Sequence, residues 1–345
     1  MGSYVIRRIL YAVPTLLIIS LIIFIILDFA PGDPTSQLPL TIDAETREQI
    51  RENLGVNDPM PVKWLRWANL MFVNEPHHAF ESVTGLCLGE CNTGDGDAEL
   101  KRIISWSSRA PAMDTITQRM PQTIWVLGLA FVLGTVLAIP VGIASAYKQY
   151  SWFDNIGTVV TTIGYSAPTF FTGLLAIKLF SVWLGWFPSF YSTTHEFSLF
   201  DLESVWIQIK QMIMPVTVLT LFNAAILSRF TRASTLDNLN QDYVRTARSK
   251  GLSEFKVVNV HVMRNSLIPV ATLIALSIPA IFSGAIITEQ VFRINGLGQL
   301  LIVSIGQGDL PMVQTLTFMF ATLTVAFNLL ADLVYGFLDP RIRYD

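Results

Sequence analysis

The chain has 345 residues, of which 52% are hydrophobic and only 14% are charged, and its formal net charge is -3 at pH 7. Soluble domains usually carry about 25% charged residues, so this composition indicates a membrane protein. The net charge argues against a nucleic-acid-binding protein, which normally has a basic excess or a basic face.

Six uncharged stretches are long and apolar enough to be transmembrane helices, each of which needs about 20 apolar residues. They are Ile9 to Leu27, Thr123 to Tyr147, Asn155 to Ile177, Met212 to Ser228, Asn265 to Thr288 and Leu310 to Ala331. Pro215, near the start of the fourth and shortest stretch, suggests a helix entry or a kink. We therefore expect an all-α polytopic membrane protein with six transmembrane helices.

Basic residues are distributed unevenly around these spans, and short cytoplasmic loops are the ones that collect Lys and Arg. The first span is longer than the apolar core of a signal peptide, so we interpret it as a retained anchor. With the N-terminus inside, the inner segments hold Arg7, Arg8, Lys148, seven basic residues between positions 229 and 264, Arg341 and Arg343. The short outer loops, which exclude the long segment between the first two spans, hold only Lys210 and Arg293. Both termini are therefore predicted to be cytoplasmic.

The segment 29–120, between the first two spans, is predicted to be an extracytoplasmic insertion. Its many prolines argue against long uninterrupted helices. A short helix is expected from Ala44 to Leu54, with Asp43 as its N-cap and Gly55 at its end. The stretch from Pro61 to Val73 is typical of an amphipathic helix lying near the lipid headgroups. We expect a lid or docking platform rather than an enzyme domain.

Ionisable residues at membrane depth are costly and often functional. Only Lys178 clearly lies within a span, where it either reaches toward the outer headgroups or lines a polar pathway. Pro168 and Pro279 also lie within spans, as hinges or as ordinary packing kinks. Three acidic residues at span ends are expected to be solvated: Asp28, Glu289 and Asp332.

The two cysteines, Cys87 and Cys91, fall in the predicted outer segment. An oxidising compartment favours a disulfide between them. A zinc site shared with His77 and His78, and a pair of free thiols, are the alternatives.

Catalytic motifs are absent from the sequence. It has no Gly-x-x-x-x-Gly-Lys-Ser/Thr phosphate loop, no Gly-x-Ser-x-Gly nucleophile elbow and no His-Glu-x-x-His metal helix. Gly296-Leu297-Gly298 lacks the context of a dinucleotide site and is interpreted as a turn. We therefore expect neither ATP hydrolysis by this chain nor a resident cofactor or metal.

A basic stretch between the fourth and fifth spans is predicted to form two short helices. Asp242 is a suitable N-cap for a helix that extends to Lys250, and Gly251 ends it. Ser253 is then the N-cap of a second helix that extends to Arg264. One face of this second helix is expected to carry Phe255, Val258 and Val262. From charge and periodicity alone, the stretch fits an ordinary positive inner loop, and a channel or a membrane scaffold also fits the chain.

The sequence DYVRTARSKGL from Asp242 to Leu252, followed by His261 and by RNSLIP from Arg264 to Pro269, resembles the cytoplasmic coupling loop of ABC-importer permeases. More narrowly, it is similar to the B-type permeases of dipeptide, oligopeptide and nickel importers. Arg245-Thr246-Ala247 replaces the Glu-Ala-Ala of the broader superfamily, as it does in the peptide branch. Further matches are Ile6 to Arg8, Pro14, Ala30 to Pro34, Arg119 to Thr123, Gly296 to Gly298 and Asp339 to Arg343. Only the segment from Gly85 to Ala98 matches nothing in the family pattern.

The resemblance implies a type I ABC importer permease fold in a bacterial inner membrane. Its parts would be a first helix at 1–28, the outer insertion at 29–120, a core at 121–338 with a coupling loop at 229–264, and a cytoplasmic tail at 339–345. The implied partners are a second permease, two ATPase subunits that hold ATP and Mg, an extracytoplasmic substrate-binding protein and membrane lipid. The implied substrate is a peptide, with oligosaccharide or nickel as alternatives. The residues expected to couple to the ATPase are Asp242, Tyr243, Arg245, Thr246, Ala247, Arg248, Lys250, Gly251, Leu252 and Phe255.

Overall fold

The structure is a computed structural model that describes residues 2–29, 43–53, 57–85, 101–192, 200–283 and 286–338. Within these ranges the chain is helical apart from turns, loops and one isolated bridge between Ile104 and Pro111. The helices of the N-terminal third are α1 (Gly2–Asp28), α2 (Ala44–Asn53), α3 (Met60–Asn69), α4 (Glu75–Thr84) and α5 (Ala112–Thr123). The remaining helices are α6 (Leu129–Tyr147), α7 (Trp152–Ser166), α8 (Thr169–Ala176), α9 (Leu202–Leu239), α10 (Asp242–Ser249), α11 (Glu254–Lys256), α12 (Met263–Ser283), α13 (Ile286–Phe292), α14 (Leu297–Gly306) and α15 (Leu310–Leu338).

Several helices are joined or extended by π-helical turns, which hold one extra residue per turn. These turns are Leu70–Asn74, Ile124–Gly128, Ile177–Trp183 and Val257–Val262. Because of them, α5 and α6 form one continuous helix, and so do α11 and α12.

Five helices in the described ranges are long and apolar enough to cross a membrane. They are Ile6–Asp28, Ala112–Tyr147, Leu202–Leu239, Glu254–Ile278 and Leu310–Asp332. The pair α7 and α8 makes a sixth if it counts as one broken span. The expectation of an all-α polytopic membrane protein is therefore confirmed.

The third predicted span is not one straight helix, because α7 and α8 meet at an angle of 103°. Pro168 lies at the start of α8, where it has no N–H to donate to the preceding turn. Its ring also disfavours the helical conformation at Ala167, whose φ of -80° and ψ of 126° are extended. Pro168 thus breaks the helix rather than bending it slightly.

The fourth span is much longer than predicted, since α9 contains 38 residues. Pro215 lies buried inside this helix and does not mark its entry. The uncharged run is short only because Lys210 and Arg229 bound it, whereas the helix continues past both. α6 packs closely against α9 at Gly142, where a Cβ atom would lie 2.7 Å from the Ser228 carbonyl oxygen.

The described residues divide into two compact units. The first unit is drawn from residues 1–9, 121–299 and 323–345, and it includes α6 to α13. One of its apolar clusters is formed by Val126, Leu127, Ala130, Tyr191, Met212, Met214, Val216, Val218, Leu219, Phe292 and Ile294. The second unit is drawn from residues 10–120 and 300–322.

In the second unit, the predicted amphipathic helix forms α3 and the turn that follows it, and its central side chain is Trp67. Trp67 is only 6% exposed and makes edge-to-face contacts with Phe72 and Phe318, at centroid distances of 6.2 and 5.2 Å. Trp64 donates its Nε1 hydrogen to Ser20 Oγ at 3.3 Å. The side chain of Trp67 is therefore covered by other parts of the unit, and the position of this helix near the headgroups stays a prediction. An amphipathic pattern indicates that a helix has an apolar face, but it does not show whether protein or lipid covers that face.

The predicted short helix in the insertion is confirmed as α2 (Ala44–Asn53). Asp43 precedes it and accepts a hydrogen bond from Thr46 N at Oδ2, at 3.3 Å. Hydrogen bonds from the side chain and then from the backbone N–H of Thr46 lower the pKa of Asp43. Gly55, the predicted end, lies outside the described residues.

Polar side chains fix the segment that leads from the insertion to α5. Arg102 donates from Nη2 to Glu75 Oε2 and from Nη1 to Asp114 Oδ2, both at 2.8 Å. Asp309, just before α15, accepts from Trp106 N at 3.0 Å and from Ser107 Oγ at 2.8 Å. These bonds hold the segment against the N-terminal end of α15 within this unit.

Candidate functional site

The basic stretch forms a compact hairpin, hereafter the 242–262 hairpin, in which α10 is the first arm and α11 begins the second. Gly251 ends the first arm with φ of +73° and donates its N–H to Arg248 O at 2.9 Å. This left-handed conformation is easily adopted by glycine and costly for other residues. The predicted break at Gly251 is therefore present.

The two arms begin and end differently from the prediction. Gln241 occupies the N-cap position of α10, and Asp242 lies in the first turn, where its carboxylate interacts favourably with the helix dipole. The second arm does not end at Arg264 but continues through α12 to Ser283. No Gly or Pro interrupts the chain between Ser253 and Asn265, so the helix has no reason to stop there. The second arm is thus the end of a candidate membrane span.

Apolar side chains between the arms form the hairpin core. Val244 and Ala247 of α10 pack with Val257 and Val262, and all four are buried, with at most 6% exposure. Ala247 therefore supports the hairpin from inside and is not on its surface. Tyr243 and Leu252 pack against the same core from its edge.

Phe255, Val258 and Val262 were predicted to share one face of the second arm, but they differ in exposure. Phe255 is 79% exposed, whereas Val258 and Val262 are 6% and 0% exposed. The reason is the π-helical turn Val257–Val262, whose extra residue shifts the helical phase. Phe255 instead lies beside a groove of about 450 Å³ that is also lined by Ile139, Pro140, Ile143, Ala144, Tyr147, Glu254, Val258, Asn259 and Met263.

Two polar contacts fix the position of the first arm. Arg248 Nε donates to Glu254 Oε1 at 2.9 Å, so the ion pair spans the turn at Gly251. Tyr243 donates its hydroxyl hydrogen to Asn238 Oδ1 at 2.8 Å, which links α10 to the end of α9. The hairpin is therefore connected at one end to α9 and at the other to α12.

The outer surface of the hairpin is mainly polar. Asp242 and Arg245 are almost fully solvated, at 97% and 74% side-chain exposure, and they are only 3.6 Å apart. The other predicted coupling residues that are exposed are Thr246, Arg248, Lys250 and Gly251. The surface is suited to contact with another protein, because a rigid turn presents one large aromatic side chain among cations.

Of the three acids at span ends that were expected to be solvated, Asp28 is exposed, Asp332 is half-buried and Glu289 is buried. Asp28 pairs with Lys63, and Asp332 pairs with Arg8. Glu289 is buried at 1% exposure. One of its hydrogen-bond donors, Thr123, is far away in the sequence, and the other two lie beyond the end of its own helix, so a local pattern could not reveal them.

Glu289 lies at the centre of a buried hydrogen-bond network. Its Oε1 accepts from Thr123 Oγ1 at 2.8 Å, and its Oε2 accepts from Gly298 N at 2.8 Å and Gln299 N at 3.1 Å. Thr123 Oγ1 in turn accepts from Leu297 N at 2.8 Å. Burial raises the pKa of Glu289, and the donors oppose that shift. The network joins α5, α13 and the start of α14.

The Gly296-Leu297-Gly298 turn has a steric role in this network. A Cβ atom at Gly296 would lie 2.5 Å from both Glu289 carboxylate oxygens and from Thr123 Oγ1. Such distances are far shorter than normal contacts, so a side chain at this position would displace the carboxylate.

The remaining sequence candidates are placed as follows. Lys178 lies with its Nζ 5.4 Å from the centre of the Trp183 ring, toward the end of its helical segment. His77 lies 3.9 Å from Glu81, and the part of the chain that the structure describes holds no group of three or more His, Cys, Asp or Glu that could bind a metal. Cys87, Cys91 and the tail 339–345 lie outside the described residues.

Comparison with known proteins covers both ends of the chain. A sequence profile described as "Binding-protein-dependent transport system inner membrane component" matches residues 138–344. The profile of the N-terminal part of such components matches residues 1–127. The chain is 37% identical to the oligopeptide transport system permease protein AppB of Bacillus subtilis and 33% identical to the glutathione transport system permease protein GsiC of Pectobacterium atrosepticum. Both matches cover 100% of each chain.

Proposed function

Because the chain belongs to the family of binding-protein-dependent transport system inner membrane components, we propose that it is the permease subunit of an ABC importer that takes up peptides. The chain is a multi-pass inner-membrane protein, as its family and its apolar helices require. The peptide substrate is supported by the relatives named as oligopeptide, peptide and glutathione permeases.

The observation that carries the proposal is the 242–262 hairpin. It is closed by buried valines and an ion pair, and it exposes Phe255 at 79% beside the turn. An ATPase subunit with an apolar cleft and an acidic rim would bind this surface, with Phe255 in the cleft and Arg245 and Lys250 at the rim. The residues that contact it are then the exposed ones among the sequence candidates.

The proposed assembly contains a second permease, two ATPase subunits that bind ATP and Mg, and an extracytoplasmic binding protein. Both termini and the hairpin lie in the cytoplasm, in accordance with the basic residues of the inner segments. The hydrolytic chemistry belongs to the ATPase subunits, and this chain conducts the substrate.

The hairpin is built to transmit movement into the membrane. Its second arm is continuous with α12, and its first arm is tied to α9 through Tyr243 and Asn238. When ATP draws the ATPase subunits together, a displaced hairpin therefore moves both helices. ATP binding supplies the difference in free energy between the two states, which any driven population shift requires.

Reconstitution of the complete importer in proteoliposomes tests the proposal. With the binding protein outside and ATP inside, a labelled peptide should accumulate in the lumen. It should not accumulate when ADP replaces ATP. Uptake of nickel or an oligosaccharide without peptide uptake would contradict the peptide assignment, and peptide uptake that needs no ATPase subunit would contradict the importer assignment.

A further inference from the structure

Two neighbouring cavities lie among the helices of the first unit. The larger, of about 680 Å³, lies between α6, α7, α8 and α9 at the bend caused by Pro168, and its walls are mainly apolar. The smaller, of about 300 Å³, lies between α6, α7 and α9. Val141, Thr161 and Ser228 line both cavities, so they adjoin. A volume of this size is typical of a site for a small organic molecule.

The smaller cavity has several polar residues among those that line it. Its lining residues include four with hydroxyl groups, Ser145, Thr158, Thr161 and Ser228, and two arginines, Arg229 and Arg232. The larger cavity carries no charged side chain on its walls. The smaller cavity therefore has arginines among its lining residues, and the larger cavity has none.

One of the two arginines is already neutralised. Arg232 donates from Nε and Nη2 to the two carboxylate oxygens of Asp154, at 2.7 and 2.8 Å. Asp154 is only 2% exposed and also accepts from Tyr150 N at 3.0 Å. This pair holds α7 against α9 and leaves no net charge for a ligand.

The other arginine, Arg229, is exposed. Arg229 lies with its guanidinium carbon 5.6 Å from the centre of the Tyr165 ring, and no carboxylate among the described residues pairs with it. The ring face attracts the cation and holds it along α7. A guanidinium group held in this way can bind a carboxylate through two parallel hydrogen bonds.

From this geometry we propose that the two cavities form a transient peptide site, in which Arg229 binds the C-terminal carboxylate and the apolar cavity receives side chains. The inference rests on the proposed function, because it assumes a peptide substrate.

Arg229 would bind an oxyanion, and the phosphate group of a lipid is an oxyanion as well as the peptide carboxylate. The experiment therefore compares two peptides in two membranes. Wild-type importer and the variants Arg229→Gln and Arg229→Lys are reconstituted in vesicles of phosphatidylcholine alone and of phosphatidylcholine with phosphatidylglycerol. Uptake of tetra-alanine and of its C-terminal amide is measured with saturating binding protein, whose affinity for each peptide is determined separately.

The wild type should transport the free acid more efficiently than the amide in both membranes. Loss of a charge-assisted hydrogen bond should lower uptake of the acid by about tenfold in Arg229→Gln, with little change for the amide. Arg229→Lys should retain part of the preference. Arg293→Gln is the matched control, because Arg293 also stacks on an aromatic ring, that of Phe190 at 4.7 Å, outside these cavities.

The outcomes separate the two proposals. If wild-type importer transports neither peptide, the peptide function itself fails, and the site fails with it. If peptide uptake is normal but Arg229→Gln affects the acid and the amide equally, the function stands and the carboxylate site is overturned. An Arg229 effect seen only with phosphatidylglycerol would assign the cation to lipid and would also overturn the site.

Discussion

Arg248 and Glu254 face each other across the turn at Gly251 and form a two-point ion pair, with Nε to Oε1 at 2.9 Å and Nη2 to Oε2 at 3.3 Å. The pair closes the 242–262 hairpin on its solvent side, while Val244 and Val257 close it from within. The arms are thereby held as one body, which is the property that a mechanical link between an ATPase and membrane helices requires.

Replacement of Gly251 should uncouple ATP hydrolysis from transport. Alanine in a left-handed conformation costs about 1–2 kcal/mol, and proline cannot adopt a positive φ. We expect Gly251→Ala to lower ligand-stimulated ATPase activity of the assembled importer about fivefold or more, and Gly251→Pro to abolish it with membrane insertion intact. Gly185→Ala is the control, because Gly185 has φ of +64° with open space around it but lies outside the hairpin. Equal activity of the Gly251 and Gly185 variants would contradict a special role for this turn.

Charge reversal tests the ion pair. Both side chains are more than 40% exposed, so the pair should change the free energy of unfolding by no more than about 1 kcal/mol. Arg248→Glu and Glu254→Arg should each lower stimulated ATPase activity, whereas the double exchange should restore most of it. The measurement is a double-mutant cycle on activity, with thermal unfolding as the check on folding. A double variant no better than the two single ones would show that closure of the hairpin does not depend on this pair.

A side chain at Gly296 should destabilise the fold around Glu289. The added Cβ of Gly296→Ala would overlap the Glu289 carboxylate and Thr123, and overpacking of this kind typically costs about 1–3 kcal/mol. We expect a lower midpoint of thermal unfolding in detergent. Gly306→Ala is the matched control, because that site in α14 has open space and alanine favours the helix. Similar midpoints for both variants would contradict the steric role of Gly296.

Much of the helical architecture follows from local features of the sequence. The apolar stretches are long and uncharged, and such stretches have no other stable form in lipid, so their helices were predictable. The break at Gly251 was predictable because the basic segment offers one glycine between two helix-forming stretches. The role of this hairpin in coupling stays a prediction.

Other features depend on contacts that a local pattern does not contain. Glu289 looks like a solvated end residue until donors from positions 123, 298 and 299 are brought to it by folding. Phe255 and Val262 were predicted to share one face, but the π-helical turn between them changes the repeat from which the face was deduced. The second arm was ended too early, since Arg264 is charged but does nothing to stop a helix.

The central claim is that an ATPase subunit binds the tip of the hairpin, and photo-crosslinking from position 255 tests it most directly. Benzoylphenylalanine is introduced in place of Phe255 and, as a control, in place of Val260, a half-exposed apolar residue of the same helix. The complete importer is irradiated in native membranes, and the crosslinked partner is identified by mass spectrometry. The account predicts an ATPase crosslink from position 255 and none from position 260. Crosslinks from position 255 only to lipid, to the second permease or to the binding protein would contradict it.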